Sequence, residues 1–193
     1  MNFLLIISVV VTLFANIPYA IASIQGKVRP NKISWLIWTL APSIGLVASL
    51  SKGFDLGQMP VLVSVASTAL ILLSSFVNRK AYWEIRSFDW TCLVLALLAL
   101  LLWYFTKNPD TALILSLVAD LLAVMPTLVK SWRHPETEGI GPYLAGVINA
   151  IVAVLLIQHW NFTTSAFPIY LFLVNLILFA VIFGRQRKLV KHG

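Results

Sequence analysis

Side chains that carry enzyme chemistry are scarce in this sequence of 193 residues. It has one cysteine, three histidines and seven acidic residues. The histidines, His134, His159 and His192, fall in different polar segments of the chain. The sequence shows no cluster with metal-ligand spacing, no phosphate-binding glycine loop and no acidic pair within an apolar run. The composition therefore predicts that the chain is not an enzyme and uses no cofactor or metal.

Charge is also scarce, and this decides the class of protein. Only 11% of the residues are charged, 60% are hydrophobic and the mean hydropathy is +0.90. A water-soluble globule of this size would need more polar surface. The apolar runs are continuous rather than alternating, which excludes a transmembrane β-barrel. We therefore expect an all-α integral membrane protein, and the lone Cys92 excludes an intrachain disulfide.

Seven apolar runs are long enough to cross a membrane as helices. A spanning helix needs about 20 residues, with a range of about 17 to 25. The predicted spans are residues 2–24, 33–50, 58–77, 90–105, 111–129, 140–157 and 166–183. The first run lacks the basic start of a signal peptide and exceeds its usual apolar length, so we count it as a span.

The basic residues predict how the chain is oriented. The net charge is +7, and of the 14 Lys and Arg residues only Lys52 and Lys107 lie on one predicted side of the membrane. Basic loops stay in the cytoplasm, so we expect the N-terminus outside and the C-terminus in the cytoplasm. The favoured location is a bacterial inner membrane. This one-sided distribution favours an orientation signal over a nucleic-acid-binding surface.

The first three and the last three runs share features at a constant spacing. Pro18 and Pro126 are 108 residues apart, as are Pro60 and Pro168. Three is an odd number, so a direct repeat of three spans keeps its orientation only if one extra span separates the copies. We therefore expect a first triple-helix repeat at 1–80, a linker helix at 81–109, and a second triple-helix repeat with a basic tail at 110–193. The two repeats would be parallel, in a 3+1+3 order.

A short motif in the second repeat resembles that of a transporter family. Pro126 and Thr127 are followed by ETEGIGPY at residues 136–143. This pattern resembles the second-repeat signature of the SWEET sugar transporters and the wider PQ-loop family, a proline-threonine pair and then TEG-x-S-P. The resemblance implies seven helices in a 3+1+3 order. It departs from the family pattern because no glutamine follows Pro18 or Pro126. The family's asparagine pair is represented by Ser67 and Asn175.

Polar side chains within the apolar runs are the candidate binding residues, because each is costly in hydrocarbon. Asp120 is the only acidic residue well inside a span. Burial favours the neutral form of a carboxyl group, so Asp120 either couples proton movement or bonds to a neighbouring helix while protonated. The candidate substrate-binding residues are polar or aromatic groups: Asn16, Trp38, Ser67, Asn149 and Asn175. The small residues around Gly146 favour tight helix contact.

Prolines supply candidate hinges. A proline inside a helix removes a backbone hydrogen bond and bends the helix. Pro18, Pro42 and Pro126 lie within predicted spans, and Pro142 begins the sixth. Bending at these positions is one way to open and close a central site.

Taken together, these features favour a membrane transporter that moves a small polar solute by alternating access. The solute would be a sugar or an amino-acid-like molecule, with proton coupling as one option. The alternative is a seven-helix receptor or sorting protein that binds a ligand without transporting it. The expected partners are membrane lipid and the solute, with a homo-oligomer as a further option and no nucleic acid.

Overall fold

The computed structural model describes residues 2–50, 53, 56–77, 84–106 and 108–192. The described residues form seven α-helices and two short 3-10 turns, with loops between them, which confirms the all-α prediction. The helices are α1 Asn2–Ile24, α2 Lys32–Leu50, α3 Met59–Val77, α4 Ser87–Phe105, α5 Pro109–Arg133, α6 Gly141–Leu155 and α7 Phe162–His192.

Five of these helices, α1, α3, α4, α5 and α7, are long and apolar enough to cross a membrane. Large apolar side chains are exposed on the outside of the bundle: Phe14 is 79% exposed, and Leu73, Phe105 and Leu155 are similarly open. Such exposure is costly in water and favourable in lipid. The structure therefore fits an integral membrane protein in contact with lipid.

The helix ends differ from the predicted spans mainly where the chain is polar. Helix α7 continues to His192, well beyond the predicted end at 183, because helical hydrogen bonding does not stop where hydrophobicity does. Helix α6 has 15 residues, about 22 Å at 1.5 Å per residue, and is shorter than predicted. Helix α5 begins at an Asn108 cap, whose side chain accepts hydrogen bonds from the backbone of Asp110 and Thr111.

The helices pack in a regular pattern. Helix α3 lies beside α1 and α2, and α7 lies beside α5 and α6. Further contacts join α1 to α6 and α2 to α5, while α4 packs against α5 and α2. Three buried apolar clusters fill the bundle, and the half-buried Trp38 packs against all three. Trp38 therefore lies at the junction of the packed regions.

Two polar loops meet at one end of the bundle. The first elbow, residues 25–31, joins α1 to α2, and the second elbow, residues 134–140, joins α5 to α6. The Arg29 N–H donates to the Thr137 carbonyl at 2.8 Å, so the two elbows touch directly. Asn31 caps α2 and donates to the Asp89 carboxylate at the start of α4, at 2.9 Å. We refer to this end of the bundle as the elbow end.

Candidate functional site

A cavity of about 730 Å³ lies between the helices, and all seven helices contribute to its wall. Most of the wall is apolar, with a few polar groups among aliphatic and aromatic side chains. Ligand sites commonly combine such a wall with a few placed polar groups. The cavity reaches from Tyr143, near the elbow end, to Gln58 and Leu113 at the opposite ends of their helices.

Most of the residues singled out from the sequence line this cavity. Asn16, Trp38, Asp120, Asn149 and Asn175 are in its wall. They come from α1, α2, α5, α6 and α7, so only the tertiary fold brings them together.

Ser67 and the four candidate hinge prolines occupy different positions relative to the cavity. Ser67 is buried behind the wall, where its hydroxyl accepts a hydrogen bond from Asn16 Nδ2 at 2.8 Å. Pro42 and Pro142 line the cavity, whereas Pro18 is on the exposed face of α1 and Pro126 is buried within α5. Pro142 stands in the first turn of α6, where a missing N–H breaks no helical bond. Any hinge at Pro142 therefore lies between loop and helix.

Asp120 lies in the cavity wall and is hydrogen-bonded to a neighbouring helix. Its Oδ2 accepts a hydrogen bond from the Tyr170 hydroxyl of α7 at 2.9 Å. Asp120 is also the only charged residue among the described residues that line the cavity. The carboxyl group thus bonds to α7, and Asp120 lines the cavity. Tyr170 was missed by sequence reasoning, because an aromatic residue near a span end resembles an interfacial anchor.

Gly146 makes room for one of the asparagines. A Cβ atom at this position would overlap the Asn175 side-chain amide, including Oδ1 and Cγ. The Asn175 amide nitrogen meanwhile donates to the Leu171 carbonyl at 2.9 Å. The sequence predicted tight helix contact around Gly146; the structure shows this contact with Asn175 and also places Gly146 in the cavity wall.

A buried polar cluster, which we call the elbow cluster, lies at the elbow end, and its member Tyr143 lines the cavity. It consists of Tyr19, Lys130, Glu138 and Tyr143. Lys130 Nζ and Glu138 Oε1 are 2.5 Å apart, and these side chains are 1% and 0% exposed. Both tyrosine hydroxyls donate to Glu138 Oε2, Tyr19 at 2.6 Å and Tyr143 at 3.2 Å. Lys130 also donates to the Arg29 carbonyl of the first elbow.

Sequence reasoning missed the elbow cluster. It counted Lys130 only among the basic residues of the predicted cytoplasmic side, and it treated Glu136 and Glu138 only as part of the ETEGIGPY motif. In the structure Glu136 is exposed near His134, while Glu138 is buried. The signal available in the sequence was an acidic residue within a basic loop, followed directly by Gly139. In the structure Gly139 lies close to Tyr19, because an added Cβ atom would be only 3.0 Å from the Tyr19 ring.

One more polar contact joins the two halves near this end. Thr127 of α5 donates to the Ser34 hydroxyl of α2 at 2.8 Å, and both residues are fully buried. Buried polar groups require such partners, so this bond fixes how α2 and α5 sit against each other. Among the described residues, no group of three or more His, Cys, Asp or Glu side chains could hold a metal ion.

No protein-family model, curated protein or solved structure matches this chain. The resemblance to the SWEET and PQ-loop family therefore stays a prediction from short motifs.

Proposed function

We propose that this protein is a membrane carrier that moves a small polar solute by alternating access through the central cavity. The observation that carries the proposal is the cavity itself. All seven helices wall it, five of the side chains singled out from the sequence line it, and the elbow cluster adjoins it through Tyr143. A site between the halves of a helical bundle is what an alternating-access carrier needs.

The proposed architecture is a 3+1+3 arrangement in which all seven helices cross the membrane and α4 is the linker. The helix packing supports it. The contacts α1–α3–α2 in the first half correspond to α5–α7–α6 in the second. Between the halves, α1 contacts α6 and α2 contacts α5. Swapping the two halves turns each of these contacts into the other. A two-fold relation between parallel repeats gives this pattern.

The proposed orientation puts the elbow end in the cytoplasm of a bacterial cell. Lys27 and Arg29 in the first elbow and Arg133 beside the second are exposed at this end. Arg185 of α7 reaches the same end, where its guanidinium donates to the Trp132 carbonyl. Clustered basic residues favour the cytoplasmic side.

The elbow cluster would act as the inner gate. It joins α1, α5, the second elbow and α6 through one carboxylate, with two tyrosine donors and one lysine. Opening toward the cytoplasm would separate these groups, and bending at the internal prolines Pro18 and Pro126 is one way to do so. The gate would hold firmly, because partial separation leaves buried polar groups without partners.

Asp120 is the proposed coupling residue. A carboxyl group in an apolar wall can exchange its proton for another partner when a solute enters. Since Tyr170 bonds to this carboxyl, a change of its protonation would reach α7. Proton movement and helix movement would thereby be linked.

Uptake into proteoliposomes tests the proposed function. Purified protein would be exposed to radiolabelled sugars, amino acids and amines, with and without a pH gradient. We expect saturable uptake of one class, accelerated by the gradient in the wild type but not in Asp120→Asn. Asp110→Asn, on the exposed start of the same helix, is the matched control and should behave as wild type. Saturable binding of a solute by folded protein without any uptake would refute the carrier and favour the receptor alternative.

A further inference from the structure

Two of the asparagines in the cavity wall have side-chain oxygens without hydrogen-bond donors among the described residues, and this bears on the class of solute. Three asparagines line the cavity, and a side-chain amide can offer either its nitrogen donors or its oxygen acceptor. Which end faces the solute depends on what the other end is bonded to. The hydrogen bonds behind the wall decide this for each asparagine.

The hydroxyls behind two of the asparagines are already committed as donors. The Ser67 hydroxyl donates its single proton to the Ser64 carbonyl at 2.9 Å, so toward Asn16 it can only accept. The Thr12 hydroxyl donates to the Ser8 carbonyl at 2.8 Å, so toward Asn149 it can only accept. Each amide must therefore turn its nitrogen to the hydroxyl and its oxygen away from it.

The result, within the described part of the chain, is two buried acceptors without donors, beside one buried donor of the wall without an acceptor, Trp35 Nε1. Asn16 Oδ1 and Asn149 Oδ1 are buried and accept no hydrogen bond from any described residue, and Asn16 is only 7% exposed. Asn175 has its nitrogen bound to the Leu171 carbonyl. A buried acceptor without a donor costs about 1–3 kcal/mol, so a solute that supplies N–H or O–H groups is favoured.

The charge of the cavity wall further restricts which solutes can bind. Asp120 is the only charged residue among the described lining residues, and no Lys, Arg or His accompanies it there. A solute carboxylate or phosphate would meet acceptors and a like charge, which is unfavourable. An ammonium group supplies three N–H donors and the opposite charge. Trp38 and Trp103 also line the cavity, and indole faces attract cations and pack against apolar groups.

We propose that the solute is a small organic amine without an acidic group, bound as its ammonium ion by the Asp120 carboxylate and the amide oxygens of Asn16 and Asn149. This inference rests on the proposed function, because it takes the cavity to be the solute site. It narrows the solute class from sugars and amino-acid-like molecules to donor-rich cations.

Equilibrium binding to the purified full chain in nanodiscs, measured by calorimetry, tests the inference separately from transport. The probes are 2-phenylethylamine, its neutral isostere 2-phenylethanol, and glucose. We expect the amine to bind about tenfold or more tighter than the alcohol, the effect of one charge-assisted hydrogen bond. Asp120→Asn should remove this preference, and Asp110→Asn should retain it.

Equal affinity for amine and alcohol, a preference for glucose, an amine preference that survives Asp120→Asn, or no binding of any probe would each overturn the inference. The wild-type comparison of amine and alcohol stands by itself if Asp120→Asn does not fold. Amine binding without uptake would refute the carrier but support the amine site. Uptake of sugars without amine binding would support the carrier and refute the amine site.

Discussion

Substitution of Glu138 tests the elbow cluster at its centre. Glu138 has a buried lysine on one carboxylate oxygen and two tyrosine hydroxyls on the other. Glu138→Leu removes the counter-ion of Lys130 and the acceptor of both tyrosines together. Breaking one side of a buried ion pair costs about 3–5 kcal/mol. Each buried donor left without an acceptor adds about 1–3 kcal/mol.

These contributions overlap, since Lys130 keeps its hydrogen bond to the Arg29 carbonyl when Glu138 is replaced. We therefore expect Glu138→Leu to lower the free energy of unfolding by about 4 kcal/mol or more. Glu138→Gln keeps an oxygen for the tyrosines and should cost about 3 kcal/mol or less. The double variant Lys130→Met with Glu138→Leu leaves no unpaired charge and should be more stable than Glu138→Leu alone.

Thermal and SDS-induced unfolding of the full chain in mixed micelles gives these rankings. The matched control is Glu136→Gln in the same loop, which removes an exposed carboxylate and should change stability by no more than about 0.5 kcal/mol. Similar losses for Glu136→Gln and Glu138→Gln would refute the assignment of Glu138 to a buried cluster. A double variant less stable than Glu138→Leu would show that Lys130 does not depend on Glu138.

Three further predictions follow from other contacts. Gly146→Ala places a methyl group on the Asn175 amide and should reduce solute uptake about tenfold or more. Gly184→Ala is the control, because nothing lies within 4 Å of the added atom, and it should transport as wild type. Equal uptake by both variants would contradict the role of Asn175. Thr127→Val removes the hydrogen bond to Ser34 and should lower the unfolding free energy by about 1 kcal/mol in the same unfolding assay; unchanged stability would show that this bond does not hold α2 to α5. A reporter enzyme fused after residue 193 should be active in the cytoplasm, and a periplasmic signal would overturn the proposed orientation.

The sequence identified those site residues that are polar and lie within apolar runs. Asn16, Asp120, Asn149 and Asn175 stand out because a polar group inside an apolar run is rare and costly. In the structure all four line one cavity. The seven helices could be predicted for the same reason, since long apolar runs allow few alternatives.

The elbow cluster escaped prediction because its residues lie where polarity is ordinary. Glu138 and Lys130 occur in and beside a loop, and loop charges are usually solvated. Tyr19 is 119 residues from Glu138 in the chain, so only the packing of α1 against α6 brings them together. The orientation of the Asn16 and Asn149 side-chain amides likewise depends on the direction in which the neighbouring hydroxyls donate. Residue spacing in the sequence does not reveal this direction.

Solute counterflow tests the alternating-access claim most directly. Proteoliposomes preloaded with unlabelled solute would be diluted into a trace of labelled solute without any ion gradient, using a solute taken up by the wild type. A carrier whose cavity opens to one side at a time exchanges inner for outer solute, so the label should accumulate transiently above its external concentration. Label that never exceeds the external concentration, with binding intact, would contradict the alternating-access account.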